Sequence, residues 1–279
     1  MVRVLEVEGL KVERQKRELI SHFELSLRPG EFVALVGPSG AGKSTILNVL
    51  SGEARATSGE VRLLGRDLRQ WRPRELAHHR AVLPQSSALS FPFPVLDVVT
   101  LGRAPYGTQT TPRDRCIAEK CLQMAGIGHL KDRDYAVLSG GERQRVHFAR
   151  ILSQIEPDRE DPRLLLLDEP TSSLDVAHGW SILDVARRLT LRGVAVFCVL
   201  HDLNLAARFA DRVLILKEGS LLAMGSPREV FTPPLLAQAF GVTAEVIDGP
   251  GEDTPMICVS GLSHPDSIAL TTGEDYELN

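Results

Sequence analysis

The chain has 279 residues, 43% hydrophobic and 24% charged, enough to bury a sizeable core in one large domain or in a domain carrying an insert. A formal net charge of −4 gives nucleic acid no overall attraction, so no nucleic-acid partner is expected. Four cysteines (Cys116, Cys121, Cys198, Cys258) lack metal-ligand spacing and read as reduced thiols.

The opening VRVLEVEGL partly alternates and predicts a strand, and Glu6 and Glu8 interrupt the apolar run that a secretion signal needs. FELSLRPGEFVALVG predicts another strand pair, turning at Pro29–Gly30. Its second half, FVALVG (32–37), is continuously apolar, as suits a strand buried on both faces. STILNVL follows at helical spacing, with Gly52 placed to cap its end. From about 87 to 160 the texture changes. LDVVTLG, RCIAEKCLQMAGI and ERQRVHFARILSQI read as helices with no buried strand between them, which predicts an inserted helical subdomain. After the charged loop PDREDPR (157–163), LLLLD and AVFCVLH are two further buried strands. The longest apolar runs, such as VAVFCVL (194–200), are too short to cross a bilayer. Beyond Val246 the chain turns rich in Gly, Pro and acids, and TTGEDYELN reads as a mobile tail.

GPSGAGKS matches the phosphate-loop pattern G-x-x-x-x-G-K-[ST], and it lies between a predicted strand and a predicted helix, as the mechanism requires. The expected nucleotide cradle is Gly37, Pro38, Ser39, Gly40, Ala41, Gly42, Lys43, Ser44 and Thr45. Gly37, Gly40 and Gly42 let backbone N–H groups curl round phosphate oxygens. Lys43 would reach the β- and γ-phosphates, and the Ser44 hydroxyl would ligate Mg²⁺. In LLLLDEP, Asp168 ends a buried strand and suits Mg²⁺, while Glu169 is the candidate general base for a water attacking the γ-phosphate. His201 ends another apolar run and is placed to contact that phosphate. Lys43, Glu169 and His201 are thus the catalytic candidates.

A second cradle follows a hundred residues later, in VLSGGERQR (137–145). Ser139 and Glu142 have capping-box spacing, and Val146, Ala149, Leu152 and Ile155 give the following helix an apolar face. Capping needs only the serine, and Gly-Gly weakens a helix. Ser139, Gly140 and Gly141 therefore read as an anion site. One chain has no use for two cradles. Two chains arranged head to tail do: each phosphate loop holds ATP and the partner's SGG closes over the γ-phosphate.

These motifs, with the SSLD turn (172–175), occur in the order of ABC transporter ATP-binding subunits, which residues 2 to about 245 resemble. The resemblance implies an α/β P-loop NTPase (ABC ATPase) core with an antiparallel β subdomain and an inserted helical subdomain at about 87–160. Residues 246–279 form a C-terminal extension. It implies that Gln85 in VLPQ touches Mg²⁺ or the attacking water, joining Ser44 and Asp168 as the metal set, and that Asp175 lies at a dimer seam. The family often stacks adenine on an aromatic near the chain's start. LKVERQKRELI has none, which leaves Val12 or the Arg14 guanidinium for the base.

HHRAVLPQSSALSFPFPVLDVVTLGRAPY and LHDLNLAARFADR are similar to hemin-importer ATPases, within a group that also serves iron-siderophores and cobalamin. The resemblance implies an ATP-dependent homodimer with two transmembrane permease subunits and a periplasmic solute-binding protein. It would sit peripherally on the cytoplasmic side of an inner membrane. His78 and His79 are expected to be solvated helix residues rather than heme ligands. A soluble ABC ATPase of DNA repair or translation is the rival of a different class, though the chain has room for neither a long coiled coil nor a second cassette. A kinase has no use for LSGGE.

Overall fold

The computed structural model describes residues 3–15, 17–85, 92–156, 162–250 and 254–263. β1 (Leu5–Arg14) and β2 (Arg17–Leu27) run antiparallel, and β3 (Phe32–Val36) follows. β2 and β3 do not pair across Pro29–Gly30. β2 alternates buried and exposed residues, whereas all five residues of β3 are buried, so the two strands need different surroundings. A Cβ on Gly30 would lie 2.9 Å from the Thr190 carbonyl oxygen: the turn packs against a later helix end instead of closing a hairpin.

α1 (Lys43–Ser51) ends at Gly52, which adopts φ 79° and returns its N–H to the Val49 carbonyl. After β4 (Ser58–Leu63), β5 (Arg66–Asp67), α2 (Pro73–His79) and β6 (Arg80–Leu83) come the three expected helices, α3 (Val95–Thr100), α4 (Pro112–Met124) and α5 (Gly140–Ile155). The segment 86–91, where the helical insert was expected to begin, lies outside the described residues. β7 (Arg163–Asp168), α6 (Val176–Thr190), β8 (Val194–Val199), α7 (Leu203–Phe209), β9 (Arg212–Lys217), β10 (Ser220–Gly225), α8 (Pro227–Val230) and α9 (Pro233–Phe240) complete the core.

The strands form a four-stranded antiparallel sheet in the order β2-β1-β4-β5 and a six-stranded sheet in the order β10-β9-β3-β8-β7-β6. In the larger sheet only β10 runs against its neighbour. Alternation along its central strands assigns two cores. Phe32, Ala34, Val36, Leu165, Leu167, Val196 and Cys198 pack towards the helices, while Val33, Leu35, Leu164, Leu166 and Phe197 pack with α1 and the antiparallel sheet. A further hairpin, β11 (Val242–Asp248) with β12 (Pro255–Leu262), runs through the acid- and glycine-rich region beyond Val246. Asn204 on α7 holds it by donating to the Ile257 carbonyl at 3.2 Å and accepting from the Ile257 N–H at 2.8 Å. TTGEDYELN lies outside the described residues.

Polar bonds clamp the C-terminal end of α5. Gln154 donates to the carbonyls of Ala77 and Arg80, and Arg103, itself buried, donates to those of Ser153 and Glu156. Gly102 lies against the same end, where a Cβ would fall 2.2 Å from both the Arg150 carbonyl oxygen and Ser153 Oγ. Gly102→Ala is therefore expected to destabilise the fold by about 1–3 kcal/mol, as overpacking does. Urea denaturation of that variant beside wild type measures it, and an unchanged midpoint would refute it.

His78 and His79 are only partly solvated. His78 meets Tyr106 edge-on at 4.5 Å between ring centroids, and His79 meets Trp71 at 5.1 Å. Both residues are half-buried. All four cysteines are free, and burial pushes the Cys121 thiol up to about 12, which keeps it unreactive.

Candidate functional site

Four adjacent strands of the parallel sheet, β3, β8, β7 and β6, deliver their C-terminal ends to one place, the usual ligand edge of an open α/β sheet. β3 leads into the glycine loop, β8 into His201, β7 ends at Asp168 with Glu169 next, and Gln85 follows β6. A cleft of about 360 Å³ lies there, lined by Leu19, Ser39, Gly40, Gly42, Lys43, Ser44, Thr45, Gln85, Glu169 and His201. The first cradle and the acidic strand are thus brought together as the sequence predicts.

Gly37, Pro38 and Ala41 stand behind this lining. Ala41 is buried and donates its N–H to the Pro38 carbonyl. The glycines divide their work. A Cβ on Gly37 would lie 2.2 Å from the Leu216 carbonyl oxygen and one on Gly42 would lie 2.6 Å from Ile20 Cδ1, so both allow the loop to pack on its own chain. Gly40, at φ 78° with open space where a Cβ would stand, serves the turn alone.

Lys43 Nζ donates to the carbonyls of Gly37 at 2.8 Å and Pro38 at 2.9 Å, leaving a third donor for the cleft. Burial pulls its pKa down, opposed by the charges of Glu169 and Asp168. Asp168 is 5% exposed. Burial pushes its pKa up, the neighbouring Glu169 charge adds to that, and a hydrogen bond from Ser44 opposes both. Its Oδ1 is buried without a hydrogen-bond partner. A buried, unpaired carboxylate oxygen beside a serine hydroxyl is a fitting donor set for a hard divalent cation.

Glu169 is the centre of the arrangement. Gln85 Nε2 donates to its Oε2 at 2.8 Å, and His201 Nε2 hydrogen-bonds its Oε1 at 2.5 Å. Its backbone adopts φ 49°, uncommon for a residue with a side chain, held by its N–H to the Val199 carbonyl and by Ser172 on its own carbonyl. No sequence pattern announces that strain.

Val12 does not offer a surface to a base: it is buried in the core beneath the antiparallel sheet, while Arg14 is exposed at the end of β1. Leu19 is the lining residue that the sequence reading missed. Its backbone lies against Gly42, where a Cβ would come 3.1 Å from the Leu19 carbonyl oxygen.

Ser139, Gly140 and Gly141 are not in this cleft. They form the N-terminal end of α5, with the capping box complete: Ser139 Oγ bonds Glu142 Oε2 at 2.8 Å and accepts from the Glu142 N–H at 3.3 Å. The apolar face of α5 is as expected, with Val146, Ala149, Leu152 and Ile155 all buried. Gly140 faces open space, and the SSLD turn lies beside Gly141, where a Cβ would be 3.3 Å from Leu174 Cδ2. Asp175 caps α6 through the His178 N–H and is exposed.

The family description "ABC transporter" matches residues 20–172. A relative from Myxococcus xanthus (strain DK1622), named hemin import ATP-binding protein HmuV, is 46% identical over 92% of this chain and 97% of its own length. A solved structure described as a metal-chelate type ABC transporter in an inward-facing conformation aligns with TM-score 0.76 and 26% identity, over 94% of this chain and 98% of that one. A dimeric ATP-binding cassette in a post-hydrolysis state, bound to ADP and Pi, aligns with TM-score 0.70 and 27% identity, over 80% and 99%.

Proposed function

The chain belongs to the ABC transporter family, and from that premise we propose that it is the ATP-hydrolysing subunit of an importer for hemin. Its phosphate loop binds ATP. The cluster of Gln85, Glu169 and His201 at the mouth of that loop carries the catalytic half of the reading. The relative named for hemin import, alike over nearly the whole of both chains, supports the substrate.

In this reading the loop N–H groups of Ser39 to Thr45 and the third donor of Lys43 hold the β- and γ-phosphates. Ser44, Asp168 and Gln85 would hold Mg²⁺, which when bound would neutralise phosphate charge. Glu169 accepts the proton of the attacking water. Each of its oxygens accepts one hydrogen bond, which leaves lone pairs on both for the water. His201 then faces the γ-phosphate.

Ser139, Gly140 and Gly141 close over the γ-phosphate held by a second copy, which makes ATP the link between two chains arranged head to tail. That the aligned cassette bound to ADP and Pi is dimeric supports the pairing of two chains. Among the described residues no helix is long and apolar enough to cross a membrane. In this reading the transmembrane path belongs to two permease subunits, fed by a periplasmic binding protein, with this chain on the cytoplasmic side of the inner membrane.

The test is reconstitution with its permease, comparing hemin, a ferric siderophore and cobalamin, each with its binding protein. Hemin is expected to stimulate ATP hydrolysis and to be taken up, while the isolated chain does not respond to hemin. Stimulation by the siderophore or cobalamin and not by hemin would overturn the substrate.

A further inference from the structure

Four residues before Ser139 stands a tyrosine that none of the nucleotide chemistry requires. Tyr135 opens a short 3-10 turn, Tyr135–Val137, and is 1% exposed. Its hydroxyl hydrogen-bonds His147 Nε2 at 2.7 Å, and the two rings meet edge-on at 5.5 Å between centroids. His147 lies two turns into α5 and is 2% exposed. Burial pushes the Tyr135 phenol up, so it keeps its proton.

A second bond runs parallel to this one. Arg143 Nη2 donates to the Ala136 carbonyl at 2.6 Å, and the guanidinium lies 5.6 Å from the Tyr135 ring centroid. Asp134 caps the turn through the Ala136 N–H, and the Tyr135 N–H donates to the Phe93 carbonyl. The short segment leading into Ser139 is therefore strapped sideways onto α5, and its deepest attachment is a polar pair inside an apolar core.

A core position is filled more cheaply by two apolar rings than by a hydroxyl and an imidazole, because a polar pair must keep its geometry. That requirement has a use here. The direction in which residues 136–138 reach α5 sets where the N–H groups of Ser139, Gly140 and Gly141 point. We propose that Tyr135 and His147 are a positioning pair that orients this cradle towards the partner chain's phosphate. The proposal rests on the reading of Ser139–Gly141 as a site acting across a dimer. Neither residue touches nucleotide: both act through the segment they hold.

The test uses full-length chains carrying Glu169→Gln, in which ATP is expected to accumulate closed dimers, and titrates dimer formation against ATP. Tyr135→Phe removes a single oxygen and keeps the ring. It is expected to raise the ATP concentration for half-maximal dimer about tenfold, the order of effect of one displaced hydrogen bond. His147→Phe is expected to do the same, and the double variant no more than either single one, since both remove one interaction. His147→Gln, whose amide can still bond the phenol, is expected to restore the parent midpoint. Binding of ATP to the isolated chain, through its own phosphate loop, is expected to be unchanged in all of them.

Thermal melting separates positioning from support of the fold. Variants that melt lower yet dimerise at the parent midpoint would overturn the proposal, as would a shift that His147→Gln fails to restore. A Glu169→Gln parent that never dimerises with ATP would overturn the dimer reading, and this proposal with it. A parent that dimerises while Tyr135→Phe has no effect overturns the positioning pair alone.

Discussion

Glu169→Gln is expected to leave ATP binding intact, to lower hydrolysis by about 10²–10⁴-fold, and to accumulate as a closed dimer. The magnitude is that of a lost general base. The geometry favours this substitution over others. The glutamine oxygen can accept from Gln85 Nε2 as the carboxylate does at 2.8 Å, and its NH₂ can donate to His201 Nε2 once the imidazole proton moves to Nδ1, so neither neighbour is left unpaired. The backbone at φ 49° depends on the bonds from Glu169 N–H to the Val199 carbonyl and from Ser172, none of which involves the replaced atoms. Only the charge and the basicity go. Phosphate release and size-exclusion chromatography with and without ATP read the two halves separately. Hydrolysis at the wild-type rate would remove Glu169 from the chemistry.

The second large effect concerns pairing. A Lys43→Ala chain loses the ammonium that two loop carbonyls steady in the cleft, and a Gly141→Asp chain puts a carboxylate where the partner's phosphate would rest. Gly141→Asp is expected to fold. Aspartate is favourable in the first turn of a helix, and the atom nearest the new Cβ, at 3.3 Å, is the end of a leucine side chain. Each variant alone should trap no nucleotide. Mixed together, they should form heterodimers in which the intact phosphate loop of one chain meets the intact Ser139–Gly141 of the other, trapping one nucleotide per pair. The opposite damaged pair should trap none. If Gly141→Asp instead disables only the nucleotide on its own chain, the head-to-tail arrangement is wrong.

Local patterns were legible in the sequence, and what depends on distant neighbours was not. The phosphate loop, the all-buried strands β3, β7 and β8 and the capping box of α5 each carry their cause within a few residues. Val12 was misjudged because β1 contains register shifts on either side of Leu10, so its strict alternation breaks and faces cannot be counted along it. The hairpin β11–β12 went unread because only scattered residues such as Ala244 and Ile257 are buried, while Ile247 and Val259 stay exposed. A strand with so weak a buried face leaves little periodicity to find. The rings covering His78 and His79 come from Tyr106 and Trp71, and the strain at Glu169 comes from the strand ends around it. Neither leaves a mark on neighbouring letters.

The clamp at the C-terminal end of α5 has a mechanical meaning. The helix has 16 residues and is about 24 Å long. Its far end is fastened by Gln154 to the carbonyls of Ala77 and Arg80, where β6 begins, and by Arg103 to the carbonyls of Ser153 and Glu156. Its near end carries the glycines. Packing of Val146, Ala149 and Leu152 keeps the helix with its neighbours, so a tilt about the clamped end, beside the strand that leads to Gln85, would move the helical layer as a unit. A tilt of about 5° at the clamp would carry the glycines through about 2 Å, for a rise of about 1.5 Å per residue. That is enough to make or break the hydrogen bonds they would offer to a phosphate, since such bonds span only about 2.7–3.2 Å. A small rotation at the clamp would thus be amplified at the glycines, and the four-residue strand β6 runs from that clamp towards Gln85.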